Sequence, residues 1–310
     1  MILHIFNIIA PVFIVIGVGY FSIKRGLFAE QFIDGLMKYA IQFAVPCLLF
    51  LATARLDLVT AYDGSMIAAF YIGSSSSFAL ASYLAYKVFK RHPGESIAIG
   101  FGALFSNLVL IGIPVSERAW GADNLSPVYA IISMHAPFCY LLGITSMEIL
   151  RSDGRSWSDT TQVVVKAMFS NTLMIGIGLG FLFNLSGLEL PRVLEASINM
   201  VSVSALPVAL FGLGGVLARY RITDSIGEVS MISSFSLLLH PAIAYTLCTL
   251  FKVPLDLTRA AVLLAAMSPG VNAYVFASMY QRGQSIAAGV VVVGTSMSIL
   301  TVSFWLWVLS

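Results

Sequence analysis

Charge is what this 310-residue chain has least of: Asp, Glu, Lys and Arg together supply 10% of it, against ~25% in ordinary soluble domains. Seventeen basic residues nearly cancel fifteen acidic ones, for a net charge of +2. That balance offers no electrostatic footprint for a polyanion, and nucleic acid is excluded as a partner. Cysteine is scarce as well. Cys47, Cys139 and Cys248 stand singly without CxxC spacing, so neither a disulfide framework nor a zinc site is expected, and all three read as small apolar packing residues. HExxH, GxSxG and paired-Asp motifs are missing, which removes the parts an intramembrane enzyme needs. No cofactor and no metal are expected.

Apolar residues take up the room, at 58% of the chain and a mean hydropathy of +0.91. Lipid is the solvent such a composition suits. Ten weakly charged runs are long enough to span a bilayer, at roughly 5–23, 35–54, 65–88, 95–116, 125–149, 163–185, 194–217, 229–250, 257–280 and 285–309. The runs are continuous rather than alternating, which excludes a β-barrel. Their links are short, so residues 1–310 are expected to form one all-α membrane domain. No Lys or Arg precedes the first run, and Lys24 and Arg25 follow it, the pattern of a span rather than a cleaved signal.

Basic residues are unevenly shared among the links. Lys24, Arg25, Lys87, Lys90, Arg91, Arg151, Arg155, Lys166, Arg219, Arg221 and Arg282 fall in or beside the odd links, whereas Arg55, Arg118, Arg192, Lys252 and Arg259 fall in the even ones. The positive-inside rule then puts the odd links in the cytoplasm and both termini outside, in a multi-pass protein of the cytoplasmic (inner) membrane.

At an offset of 161 the chain resembles itself. Ile16, Gly17, Gly19, Gly26 and Leu27 face Ile177, Gly178, Gly180, Gly187 and Leu188, and Pro46, Leu49 and Phe50 face Pro207, Leu210 and Phe211. Apolar helices share composition, but Gly and Pro in register over about 30 residues point to duplication. Five spans per half force the second half to sit upside down. Inverted repeats of that kind build secondary transporters, with the site near the midplane.

Two runs carry helix breakers at matching places. Run four reads Ser106-Asn107 through Gly112-Ile113-Pro114, and run nine reads Met267-Ser268-Pro269-Gly270-Val271-Asn272-Ala273-Tyr274. Proline removes a backbone donor and clashes with the preceding turn, while glycine relaxes what restraint is left. A half-helix that starts at such a break presents free N–H groups and about half a positive charge. Two of these ends meeting at mid-membrane form an anion site without Lys or Arg. Asn107 and Asn272 add amide donors, and Ser106, Ser268 and Tyr274 add hydroxyls. The competing reading is a pair of plain kinks in which each Asn caps the freed groups. Neither break holds Asp or Glu, which favours an anionic or neutral substrate over a metal cation.

Other polar residues at membrane depth have simpler expectations. Asp34 and Lys38, spaced i, i+4, suit a helical ion pair. His135 and His240, close before Pro137 and Pro241, are packing histidines or proton carriers, since imidazole titrates in the physiological range. Glu117 is the best carboxylate for proton coupling, or else pairs with Arg118 at the membrane edge; Glu148 is expected at the cytoplasmic interface. Gly143, Gly176, Gly178, Gly180, Gly212, Gly214 and Gly215 suit close helix approach. Trp305 and Trp307 suit an interfacial belt. Pro46 and Pro207, a repeat pair, are expected to shape packing or the cavity wall.

On these residues the chain resembles the auxin efflux carrier family over nearly its whole length. The elements are Asn107 with Gly112-Ile113-Pro114 in run four, Ala265 through Ala277 to Tyr280 in run nine, and Val45-Pro46-Cys47-Leu48-Leu49-Phe50 in run two. The resemblance implies ten transmembrane helices in two inverted five-helix repeats, with broken, crossing helices four and nine. It also implies a scaffold and homodimer face within 1–54 and 163–217, and a moving transport domain within 65–149 and 229–309. The implied activity is elevator-type transport of a small organic anion or carboxylate. The family's crossover residues map to Asn107, Pro114, Pro269 and Asn272. Two departures stand out: the link from Arg151 to Gln162 is short, and the two prolines are unequally placed relative to their asparagines. A membrane ligand sensor of transporter fold is the alternative reading, and an intramembrane enzyme a more remote one.

Overall fold

A computed structural model describes residues 1–151, 162, 171–220 and 225–310, and these contain helices but no named strand. Seven helices are long and apolar enough to cross a membrane: α1 (Ile2–Lys24), α2 (Glu30–Ala54), α3 (Gly64–Lys87), α6 (Ser126–Arg151), α8 (Arg192–Arg219), α9 (Ile226–Leu250) and α12 (Gln284–Val308). The apolar helix α7 (Thr172–Ser186) is shorter; the first residues of the sixth expected run, with Arg155, Lys166 and Arg221, lie outside the described residues. The fourth and ninth runs are each divided, into α4 (Pro93–Leu104) with α5 (Ile113–Trp120), and α10 (Leu255–Ala265) with α11 (Asn272–Met279).

Local chemistry sets the ends. Asp63 caps α3 by accepting from the Met66 N–H at 2.7 Å, and Asn171 caps α7 through Leu173 at 3.0 Å. Gly187 closes α7 in the left-handed conformation, φ 65°, which only glycine adopts without cost.

Proline also reshapes helix interiors. π-turns occupy Ala40–Ala44, Leu108–Gly112 and Phe235–Leu239, and each ends one residue short of an X-Pro pair: Val45-Pro46, Ile113-Pro114 and His240-Pro241. The N–H of Val45, Ile113 and His240 reaches back five residues, to Ala40, Leu108 and Phe235. Widening the turn draws the preceding carbonyls away from the proline ring, where an α-turn would press them into it. One carbonyl released in this way, that of Leu237, accepts from the Trp305 indole N–H at 3.1 Å. Trp305 is therefore a buried, bonded residue and not part of an interfacial belt, whereas Trp307 is exposed.

Glycine sets how closely helices pair. α1 lies along α8, and α2 along α7. A Cβ on Gly19 would overlap the Phe211 main chain, and one on Gly180 would come within 2.7 Å of the Phe50 carbonyl oxygen. Phe50 and Phe211 are themselves 161 residues apart, as are Gly19 and Gly180, so the two contacts are reciprocal. A second pair behaves alike: Gly214 meets the Ile16 carbonyl, and Thr53 donates to the Ile177 carbonyl at 3.3 Å. α3 packs instead on α4 and α9.

Two ionic expectations are corrected. Asp34 accepts from the Arg219 guanidinium at 2.7 Å, not from Lys38, because the end of α8 brings the longer, forked side chain against the start of α2. Arg118 does not pair with Glu117; its guanidinium turns to α1.

Candidate functional site

The two breaks face each other. Between α4 and the turn leading into α5, and between α10 and α11, the chain runs extended, and Ser106 and Pro269 form an antiparallel bridge. The Asn107 N–H donates to the Ser268 carbonyl at 2.8 Å, and the Gly270 N–H to the Phe105 carbonyl at 2.8 Å. Unwound backbone at this depth thus satisfies part of its own demand across the crossing. Residues 107 and 268, equivalents under the 161 offset, are bonded directly to each other.

Neighbours close in on this crossing. Phe101 of α4 and Phe276 of α11 stack at 3.9 Å between centroids. Gly143 lets α6 approach them, since a Cβ there would lie 2.5 Å from the Phe101 ring. Gly294 does the same for α12: its Cβ would lie 2.6 Å from Pro269 Cδ. Gly112 leaves room for Leu264, 2.8 Å from where a Cβ would stand.

A cavity of about 450 Å³ opens beside the crossing, within the ~300–1,000 Å³ of small-molecule sites. Ser106, Asn107, Gly270, Asn272 and His135 line it, and the opposite wall is Ile41, Gln42, Val45 and Leu49 of α2. Among the described residues, no Asp, Glu, Lys or Arg lines it. Of its lining, Ile41, Val275 and Met279 are exposed and form its rim, whereas Met37 is buried.

The polar groups on the crossing side are donors. Both half-helices start here, with Asn107 before one and Val271 before the other, and neither residue's side chain caps its helix. Among the described residues, the N–H groups of Val109, Leu110, Val271 and Asn272 take no partner. Asn107 Nδ2 is buried without a hydrogen bond. Tyr140 on α6 donates its hydroxyl to Asn272 Oδ1 at 3.2 Å, which turns the amide so that its N–H₂ is free. Capped kinks would have used these groups; here they remain open. A set of uncharged donors beside one cavity suits an anion.

Other expected residues lie elsewhere. Ser268 is buried and accepts from the Thr295 hydroxyl at 3.3 Å; Tyr274 packs on Tyr220 with centroids 5.0 Å apart. Neither borders the cavity, nor do Gly112, Pro114 and Pro269, which shape the break from behind. His135 lies edge-on to Phe105 at 4.8 Å and within 3.7 Å of Cys139 Sγ. His240 is buried away from the cavity, with Nε2 hydrogen-bonded to the Phe70 carbonyl at 3.0 Å. Glu117 borders a second cavity of about 520 Å³ at the other end of the molecule, with Arg55, Asp123, Ser126, Tyr129 and Asn199. Glu148 accepts from the Tyr280 hydroxyl at 3.4 Å. Sequence reasoning missed Tyr140 and Gln42. A tyrosine one turn beyond His135 on the same span was the available signal for the first; nothing marked Gln42 beyond its place before Pro46.

A family model described as membrane transport protein matches residues 4–306. The chain is similar to the uncharacterized transporter YfdV of Escherichia coli, 23% identical across 96% of this chain and 95% of that protein. It is similar to a candidate malonate transporter of Rhizobium meliloti, 21% identical across 99% and 96%. It is likewise similar to auxin efflux carrier component 8 of Arabidopsis thaliana, 21% identical across 96% and 95%. These names are of transporters rather than enzymes. The apolar helices and the near-complete match together make this chain a multi-pass membrane transporter of the auxin efflux carrier family.

Proposed function

We propose that the protein is a secondary permease that carries a small organic carboxylate across the cytoplasmic membrane by elevator-type alternating access. The observation that carries this reading is the donor cluster at the crossing: two half-helix starts and two asparagines border one cavity whose described lining carries no charge. Asn107 and Asn272 hold the carboxylate, with Tyr140 orienting the second amide. The candidate malonate transporter among the relatives makes short dicarboxylates the first substrates to try.

The reciprocal contacts of Gly19 with Phe211 and Gly180 with Phe50 support ten passes in two inverted repeats. The α1–α8 and α2–α7 pairs serve as the scaffold, through which two copies associate, and α3–α6 with α9–α12 as the moving body. The basic bias of the odd links turns the cavity mouth toward the cytoplasm and both termini outward.

The test is current on a supported membrane carrying proteoliposomes, with malonate and a panel of mono- and dicarboxylates, with and without pH and sodium gradients. Carboxylate-dependent signals that vanish in Asn107→Ala and Asn272→Ala, with folded protein retained, are the expected result. Unchanged signals in both variants, or a response to cations alone, overturn the reading.

A further inference from the structure

Arg118 sits on α5 one turn beyond Pro114, and its guanidinium crosses to α1. Nη2 donates to the Asn7 carbonyl at 2.8 Å, and Nε to the Ile8 carbonyl at 2.9 Å. The Asn7 carbonyl is unusual. In an α-helix it would accept from the N–H of residue 11, but residue 11 is proline and has none. α1 continues through Pro11 unbroken, so its own helix leaves this acceptor unused. Although Asn7 is exposed, a carbonyl that has lost its helical N–H gains most from a charged donor. Pro11 thus creates a socket on α1, and Arg118 fills it from another helix.

The location gives the contact a role. α5 continues directly from the break that holds Asn107, whereas α1 is packed along α8. The contact lies at the end where α1 starts and α5 finishes, whereas the cavity wall at Met37 packs on Gly212, level with Gly19 in the later part of α1. We infer that Arg118 is a positioning residue that latches α5 to the Pro11 socket of α1, closing the far end of the crossing while the near end stands open. The inference rests on the proposed motion of one body against the other: the socket must empty before the far side opens.

The test reads accessibility rather than transport. In a background with Cys47, Cys139 and Cys248 replaced by Ala, single cysteines are introduced as Met279→Cys at the cavity mouth and Ser126→Cys in the second cavity. Labelling by a membrane-impermeant maleimide is timed in oriented vesicles with and without malonate. Arg118→Met is expected to slow labelling at 279 and speed it at 126, each about threefold or more, and Arg118→Lys to restore most of both. Pro11→Ala supplies the missing N–H and is expected to act in the same direction. Adding Arg118→Met to it then changes little further, because the two act on one carbonyl. Misfolding speeds labelling at both positions, and that outcome, unchanged rates, or independent effects of the two substitutions would each overturn the latch. The wild type separates the two ideas. Malonate-driven reciprocal changes there that Arg118→Met leaves unaltered defeat the latch alone, whereas no reciprocal change in any protein defeats the motion itself.

Discussion

Asn107→Ala separates binding from folding at the crossing. The Asn107 side chain is 7% exposed, its Nδ2 has no hydrogen bond, and it does not cap the helix it precedes. A buried donor left unsatisfied costs ~1–3 kcal/mol, so the empty protein gains nothing from this amide. A bound carboxylate changes the balance: a hydrogen bond to a charged group contributes ~1.5–3 kcal/mol, or roughly 10–100-fold in affinity. Alanine should therefore weaken carboxylate binding by about 10–100-fold while leaving the apparent Tm equal or higher. Asn107→Asp should weaken it further, since it sets a negative charge where the anion sits. Calorimetric titration of malonate, with thermal unfolding followed on the same samples in detergent, measures both quantities. A variant that loses ~2 kcal/mol or more of stability and keeps its affinity would refute the reasoning, because the amide would then be a structural cap.

Four further outcomes follow from the geometry. Tyr140→Phe, which releases Asn272 Oδ1, should cost about 1 kcal/mol of binding, or roughly fivefold in affinity, with little change in stability; an unchanged Kd would dismiss the orienting role. Gly294→Ala should push Pro269 off its place and cut the transport rate more than the yield of folded protein, as seen by comparing vesicle uptake with size-exclusion profiles. Trp305→Phe strips the Leu237 carbonyl of its donor and should lower stability by about 1–3 kcal/mol in thermal unfolding. Glu228→Ala leaves Arg91 without the carboxylate that takes both its Nε and Nη2, at 2.9 and 2.6 Å; with Arg91 itself about a third exposed, the loss should be about 1 kcal/mol and should shrink in high salt.

Seven spans and the two breaks were legible because both are written locally. A continuous apolar run fixes a spanning helix, and Pro269-Gly270 or Gly112-Ile113-Pro114 fixes where one fails. That Asn107 and Asn272 stand together was also legible, since the two breaks needed only to meet to bring both to the edge of one cavity. What could not be read were choices among distant partners. Asp34 had a plausible neighbour in Lys38 and took Arg219, 185 residues away. Tyr274 and Ser268 stand in the same motif as Asn272, yet the turn at Val271 directs them to Tyr220 and Thr295. Trp305 looked like a belt residue because a free carbonyl on α9 was invisible in one-dimensional sequence.

That carbonyl points to a rule that joins these misses. Proline within a membrane helix does not merely bend it; it releases a main-chain acceptor about four or five residues upstream, which is then free to take a donor from another helix. Pro241 releases acceptors in the preceding turn, and Trp305 of α12 takes Leu237. Pro46 does so beside Ile41, whose carbonyl accepts from the Thr172 hydroxyl of α7 at 2.8 Å. Pro11 does so at Asn7, and Arg118 of α5 answers. Each of these three prolines therefore accompanies one interhelical bond, and the partner's chemistry sets how readily that bond exchanges. A buried indole fixes α9 to α12, a threonine hydroxyl fixes α2 to α7, and both pairs lie within bodies that pack as units. The contact between α1 and α5 alone among these three uses a solvent-reaching guanidinium, which can exchange its carbonyl for water without stranding a charge. On the proposed motion of one body against the other, a proline whose released carbonyl faces a charged, exchangeable donor would mark where such a bundle slides, and one answered by a neutral donor where it holds.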